Sequence, residues 1–191
     1  MVTVNSTPEL YFRNKKEWRD WLAKHHDSYP AVYLTFYKVE LKIAGMRWED
    51  AVKVALCYGW IDSKVKSLGN GKRKQYFCPR NPKSAWSKLN KTYVKELIEK
   101  DLMHESGLKK VELAKQNGSW YSLDNVENGI IPKDLQNAFD KDKAAFKNYK
   151  RFSRTYQKSY LYWLNQAKRD ETRKKRIQQI IELCAKNIKS R

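Results

Sequence analysis

The stretch that decides the fold is residues 60–78, WIDSKVKSLGNGKRKQYFC. From its first tryptophan the sequence has a period of two, which is typical of a β-strand rather than a helix. Asn70-Gly71 favours a tight turn because both residue types tolerate a positive φ, and residues 73–78 then return as a second strand. The stretch therefore predicts an antiparallel β-hairpin in the middle of the chain.

The length of the turn sets the register of this hairpin. A two-residue turn at Asn70-Gly71 pairs Val65 with Tyr76 and places Asp62 opposite Pro79. A longer loop would shift the pairing and exchange the two faces of the strands. We therefore expect the first register, with the second as its alternative.

The flanking sequence predicts helices around a small sheet. Asn14, with Glu17 three residues on, indicates the capped start of a helix. The run at 31–38 is rich in Val, Tyr, Thr and Phe, which favours a strand covered on both sides. Helices are also predicted near 48–58 and from Ser84 or Ser87 onward. The predicted class is α+β, with a small antiparallel or mixed sheet built from segments near 31–38, 60–67 and 73–78, flanked by helices, and a C-terminal helical subdomain.

The last quarter of the chain is strongly basic. Residues 141–191 hold sixteen Lys and Arg against four Asp and Glu, a net charge of +12 out of +19 for the whole chain. Apolar residues at helical spacing predict helices with one buried face here. Because residues 119–132 lack periodicity, we expect two domains, 1–130 as an α+β core and 131–191 as a basic helical subdomain packed on it.

The composition excludes several classes of protein. With 41% hydrophobic and 13% aromatic residues the chain is not disordered. Cys57, Cys78 and Cys184 are widely spaced, which predicts neither a disulfide framework nor a metal site, and no cofactor is expected. No stretch has the ~18 apolar residues that span a bilayer, and residues 1–8 lack the pattern of an export signal. We therefore expect a cytoplasmic protein with reduced thiols.

Several blocks of sequence resemble a known family. They are residues 55–63, ALCYGWIDS, and residues 79–90, PRNPKSAWSKLN, followed by the pairs Leu102-Met103, Gly107-Leu108, Trp163-Leu164, Ala167-Lys168, Thr172-Arg173 and Arg176-Ile177. These blocks look like the bacteriocin-protection family, also called YdeI/OmpD-associated. The resemblance implies a link to tolerance of bacteriocins and cationic antimicrobial peptides, and it carries over no catalytic residues.

The candidate binding site lies around the helix start in residues 80–90. Cations beside free helix amides attract an anion, and tryptophans offer flat walls to a ring. The predicted ligand-binding residues are Arg80, Lys83, Trp86, Lys88, Asn90, Trp60 and Asp62. The structural alternative is that Arg80 pairs with Asp62 while the tryptophans fill the core. On the ligand-binding interpretation, the chain is a non-enzymatic, cytoplasmic binder of an anionic or phosphate-bearing ligand.

Two other functions remain as alternatives. The C-terminal basic run could bind the phosphate backbone of a nucleic acid or an anionic membrane surface, or could simply be a solvated face. Its cations are Lys168, Arg169, Arg173, Lys174, Lys175 and Arg176. An enzyme would need a small pocket near Cys57 and Asp62, although a buried, inert thiol is the simpler interpretation of Cys57.

Overall fold

A computed structural model of the chain describes residues 7–190. The chain forms two compact units, and the division falls between Trp120 and Tyr121. The predicted absence of an export signal concerns residues 1–8, of which 1–6 lie outside the described residues. The units are described separately below.

The first unit is built on one four-stranded mixed sheet. Its strands are β1 (Glu9–Leu10), β2 (Val32–Tyr37), β3 (Trp60–Gly69) and β4 (Lys72–Pro79). Their order is β1-β2-β4-β3, and only the β1–β2 pairing is parallel. Its helices are α1 (Lys15–His25), α2 (Trp48–Cys57), α3 (Lys88–Glu99) and α4 (Glu105–Gln116). The predicted α+β class is therefore confirmed, and of the two sheet types that the sequence left open, antiparallel or mixed, the sheet is mixed.

The tight turn of the hairpin is present as predicted. Asn70 and Gly71 have φ values of 47° and 70°, both in the left-handed region that this turn requires. The turn is followed at once by β4, whose Lys72 pairs with Gly69. The local sequence signal was therefore sufficient to place the turn.

The predicted register of the hairpin is wrong. Val65 pairs with Gln75 instead of Tyr76, and Asp62 pairs with Phe77 instead of Pro79. The cause is two irregularities in β3, one between Asp62 and Val65 and another close to the turn. Each adds unpaired residues to one strand, which changes the pairing without lengthening the turn. Asp62 consequently lies on the same sheet face as the fully buried Phe77.

The two faces of the sheet differ. Along β2, Val32, Leu34 and Phe36 are buried while the residues between them are only partly buried. The buried face packs in one core cluster with Trp18 and Leu22 of α1. The strand that was predicted to be covered on both sides is therefore fully buried on one face and partly buried on the other. The other face carries tyrosines and lysines instead of core aliphatics.

Two helix starts follow the capping rules. Asn14 Oδ1 accepts hydrogen bonds from the amides of Lys16 and Glu17, each at 3.0 Å, so the predicted cap of α1 is confirmed. Helix α3 begins after Ser87, whose Oγ accepts the amide of Asn90 at 3.2 Å. Ser87 is therefore the cap of this helix.

The second unit is entirely helical among its described residues. Its helices are α5 (Asp124–Asn128), α6 (Lys133–Lys141), α7 (Lys143–Arg151), α8 (Arg154–Asn165) and α9 (Asp170–Ala185). Its core includes Leu135, Phe139 and Leu164, all fully buried. Leu123 and Val126 also belong to this core, which explains why the division falls before them. Two domains with a boundary at residue 130 stay a prediction.

Helix α9 begins without a side-chain cap. Helix α9 starts at Asp170, and Arg169 occupies the capping position without a side-chain hydrogen bond to the helix. Asp170 therefore does not cap the helix. Its carboxylate lies in the first turn, where a negative charge complements the helix dipole.

A buried thiol and a buried phenol make the stability of the second unit sensitive to alkaline pH. Burial raises the pKa of the Cys184 thiol from 9.0 to about 12 and that of the Tyr149 phenol from 10.0 to about 12. Since the unfolded chain ionises first, stability is intact below pH 9 and falls as the pH rises toward 12. We expect Cys184→Ala to flatten this decline in denaturant unfolding measured from pH 9 to 12. Identical slopes for the variant and the parent protein would contradict the prediction.

Candidate functional site

Arg80 lies inside the first unit. Its side chain is buried, with the guanidinium carbon 3.7 Å from the centroid of the Trp86 ring, and its Nη2 donates a hydrogen bond to the carbonyl of Ala85. Burial lowers the pKa of Arg80 to about 10, and the negative charge of Asp62 partly opposes this shift. Arg80 therefore fixes its own loop against Trp86. Because the guanidinium group already covers one face of the Trp86 ring, that face is not available to a ligand.

The two tryptophans that were predicted to contact a ligand ring are core residues. Trp60 is 1% exposed and its Nε1 donates to the carbonyl of His26 at 2.9 Å. Trp86 is 2% exposed and packs against Trp120, with ring centroids 4.9 Å apart. Neither tryptophan presents a free face to a ligand.

Asp62 binds two neighbours other than Arg80. Its Oδ2 accepts hydrogen bonds from Trp48 Nε1 at 2.9 Å and from the Gln75 amide. The carboxylate acts on Arg80 only through space, so the ion pair of the structural alternative does not form. Asp62 instead ties the start of α2 to strands β3 and β4.

The remaining residues of the predicted site lie nearer the surface. Lys83 and Lys88 are exposed and Asn90 is half-buried. Their loop is held by Pro82, whose carbonyl accepts hydrogen bonds from Asn117 Nδ2 at 2.9 Å and Ser119 Oγ at 3.1 Å. The structure thus brings Arg80 and Trp86 together in the interior, gives the partly buried Asp62 other partners, and leaves the lysines outside. Ligand binding by the predicted set stays a prediction.

The alternative of an enzyme centred on Cys57 receives no geometric support. Cys57 is fully buried, and its Sγ donates to the carbonyl of Lys53 at 3.4 Å. Burial raises the pKa of the Cys57 thiol, which opposes formation of the reactive thiolate. Asp62 is engaged as described above.

Half of the predicted C-terminal basic run is occupied within the second unit. Arg173 forms a bidentate ion pair with Asp134, in which Nε donates to Oδ2 at 2.5 Å and Nη2 donates to Oδ1 at 3.0 Å. This pairing lowers the pKa of Asp134. Arg176 donates to the carbonyl of Trp163 at 2.5 Å, and Lys175 pairs with Glu171 at 2.8 Å. The remaining cations, Lys168, Arg169 and Lys174, are exposed.

A groove at the end of the hairpin was not anticipated from the sequence. After β2 the chain passes through residues 38–47 before α2 begins. This segment is fixed at one end by a hydrogen bond from the Lys38 amide to the Gly71 carbonyl at 2.8 Å, and at the other by one from the Met46 amide to Phe12 at 3.2 Å. The segment and the β3–β4 hairpin line an open cavity of about 1510 Å³. We call this cavity the hairpin groove.

The hairpin groove combines apolar and cationic side chains. Phe36 and Met46 are buried at its wall, and Val39, Ile43 and Val65 expose apolar surface to it. The cations that line it are Lys38, Lys42, Arg47, Lys72 and Arg73, and the two acids are Glu40 and Glu49. Glu49 is already paired with Lys53 at 2.9 Å. The charge balance of the groove is therefore strongly positive.

Arg73 is the best-placed of these cations. It pairs with both Phe36 and Ser67 across the sheet, so its side chain leaves the sheet on the same face as the Phe36 ring, 5.7 Å away. Among the described residues it has no carboxylate partner. Its planar set of donors suits a carboxylate or phosphate. The sequence signal was the mixture of cations and aliphatics in residues 38–47, KVELKIAGMR.

The described part of the chain holds neither a cluster of metal ligands nor a helix that could span a membrane. Across residues 7–190, no cluster of three or more His, Cys, Asp or Glu side chains has the arrangement of a metal site. None of the helices in that range is both long enough and apolar enough to cross a bilayer.

Comparison with known proteins identifies both parts of the chain. Residues 10–110 match the model of a domain of unknown function, DUF8412, which covers more than half of the chain. Residues 128–187 match the model of the family described as bacteriocin-protection, YdeI or OmpD-associated. No curated protein and no solved structure matches the chain significantly. The chain therefore belongs to the DUF8412 family through its first unit and carries in its second unit the domain of the bacteriocin-protection, YdeI or OmpD-associated family.

Proposed function

We propose that this protein is a non-enzymatic binder of an anionic ligand with an apolar body, and that the hairpin groove is its site. The observation that carries the proposal is the lining of the groove, where five cations surround apolar surface and only two acids oppose them. This proposal keeps the ligand class expected from the sequence and moves the site away from residues 80–90.

The groove offers a different interaction to each end of such a ligand. Arg73 and Arg47 supply donors that can bind a carboxylate or a phosphate, and hydrogen bonds to charged groups are the stronger class. Val39, Ile43 and Val65 supply exposed apolar contact area for the rest of the molecule. The ligand should therefore bind more tightly than either an inorganic anion or a neutral amphiphile.

The net charge of the chain bears on the proposed role in tolerance. A protein with a formal charge of +19 repels a cationic peptide at long range, so direct capture of such a peptide is disfavoured. We propose instead that any contribution to bacteriocin or antimicrobial-peptide tolerance passes through the anionic ligand. We place this role in the cytoplasm, as the free thiols of Cys57, Cys78 and Cys184 favour a reducing compartment.

Titration calorimetry with dodecyl phosphate tests the proposal. We expect the protein to bind dodecyl phosphate more tightly than inorganic phosphate or dodecanol. In the double variant Arg47→Gln with Arg73→Gln, the affinity for dodecyl phosphate should fall about tenfold or more. Val65→Ser should weaken the binding of dodecyl phosphate and leave the binding of inorganic phosphate unchanged, because the substitution removes only apolar contact.

The matched control removes the same charge from the other candidate site. Lys83→Gln with Lys88→Gln should leave the affinity for dodecyl phosphate unchanged, because both side chains are exposed and neither lines the groove. If this control loses binding while the groove variant keeps it, residues 80–90 are the site and the groove proposal is wrong.

A further inference from the structure

The outer face of the sheet carries aromatic and basic side chains in place of core residues. The strand registers place these side chains in consecutive rows across β2, β4 and β3, namely Tyr33–Tyr76, Thr35–Lys74–Lys66 and Tyr37–Lys72. Successive strand residues point to opposite faces, so all of these point away from the buried Val32, Leu34 and Phe36. The three tyrosines do not belong to the core cluster of the first unit.

Tyr33 and Tyr76 form the centre of this face. They lie directly opposite each other on neighbouring strands, and their rings meet edge to face with centroids 5.2 Å apart. Both remain partly exposed. Aromatic rings held in this way on a sheet offer a surface on which a nucleobase can stack.

Lysines occupy the next rows of this face, between the aromatic pair and the hairpin turn. Lys74 Nζ lies 4.6 Å from the centroid of the Tyr33 ring and pairs with Glu9 of the edge strand. Lys66 lies opposite Lys74 and is exposed, and Lys72 Nζ lies 5.9 Å from the centroid of Tyr37. On these strand positions three ammonium groups face one carboxylate. The face is therefore complementary to a polyanion.

We propose that this outer face binds single-stranded nucleic acid. Unpaired bases stack on the Tyr33–Tyr76 pair, and the phosphates next to them contact Lys66, which is exposed and, within residues 7–190, not held by a carboxylate. A duplex keeps its bases stacked inside, so it can use only the lysines and binds more weakly. The site is distinct from the C-terminal basic run. It borders the hairpin groove, which Thr35, Tyr37 and Lys72 also line. Its centre lies apart, because Tyr33, Tyr76 and Lys66 do not line the groove.

The test measures fluorescence anisotropy of the full chain with a labelled homothymidine strand of about 20 nucleotides. We expect binding that falls steeply with salt and is stronger than for a duplex of the same length. Tyr33→Leu with Tyr76→Leu keeps apolar side chains on the strands and removes both rings, so affinity for the single strand should fall about tenfold or more. Affinity for the duplex should change little.

Lys66→Gln provides a second readout that does not endanger the fold, since Lys66 is exposed. Removing one phosphate contact should reduce the slope of log affinity against log salt by about 0.7. The matched control is Tyr156→Leu with Tyr162→Leu, which removes two exposed rings from the second unit and should leave binding unchanged.

Several outcomes would overturn the proposal. They are absence of binding at low salt, equal affinity for single strand and duplex, and equal losses in the Tyr33/Tyr76 variant and its control. This test and the test of the proposed function can fail independently, because the groove variant Arg47→Gln with Arg73→Gln keeps the Tyr33 and Tyr76 rings. A loss of nucleic acid binding only in that groove variant would assign the nucleic acid to the groove instead.

Discussion

Gly107→Ala is expected to destabilise the first unit by about 3 kcal/mol or more, which is at the upper end for overpacking. A Cβ at this position would lie 2.2 Å from the carbonyl oxygen of Cys57 and 2.7 Å from that of Leu56. Both atoms are backbone at the end of α2, so they cannot rotate away. Alanine favours a helix over glycine by about 1 kcal/mol, which is too little to offset this overlap.

The close approach at Gly107 also holds the two helices together. The Cys57 carbonyl accepts the amide of His104 at 3.0 Å, just before α4 begins. Thermal unfolding measures the effect, and a fall of roughly 10 °C in Tm is expected. Gly118→Ala is the control, because no atom lies within 4 Å of its Cβ and only its positive φ of 80° opposes the change. A Gly107 variant no less stable than this control would contradict the packing of α4 on α2.

Trp60→Ala is expected to cost the first unit about 3 to 5 kcal/mol, as for other large buried aromatics. Trp60 is 1% exposed and meets Trp18 and Trp21 edge to face, at 6.4 and 6.2 Å between ring centroids. Its removal leaves a cavity among these rings and deprives the His26 carbonyl of its donor at 2.9 Å. Denaturant unfolding without any ligand measures this loss.

The Trp60 experiment separates a core role from a ligand-binding role. A tryptophan that served as a ligand wall would reduce binding while leaving the stability of the ligand-free protein almost unchanged. Trp60→Phe should lose about 1 to 3 kcal/mol, since it keeps a ring and leaves the His26 carbonyl without a partner. Tyr162→Ala, at an exposed tyrosine, should change stability by about 0.5 kcal/mol or less.

Local signals predicted the elements of the fold but not how the strands pair. Asn70-Gly71 placed the turn, and Asn14 placed the start of α1, because each signal depends only on neighbouring residues. The predicted register of β3 was wrong because the irregularities of this strand insert unpaired residues, and their position depends on packing against β4. The faces of the strands, and with them the position of Asp62, changed as a result.

The same distinction explains the candidate sites. Sequence proximity grouped Arg80 and Trp86 correctly, since their side chains are in contact, but it could not show that the contact is internal. The hairpin groove escaped sequence analysis because Arg73 and Arg47 are far apart in the chain and converge only when the hairpin meets the segment 38–47. The outer face depends on pairing between β2 and β4, which brings Tyr33 beside Tyr76.

The sequence by itself determined the α+β class, the turn of the central hairpin, the capped helices and the positive sign of the surface, because these follow from periodicity, turn and capping residues, and charge. Only the tertiary structure decided which cations are available to a partner. Arg80, Arg173 and Arg176 are held by contacts that no local pattern reveals, whereas Arg73 is left facing a groove. The physical reason is that burial and pairing are properties of residues distant in sequence, and a side chain's charge becomes usable for binding only where folding leaves it without a partner.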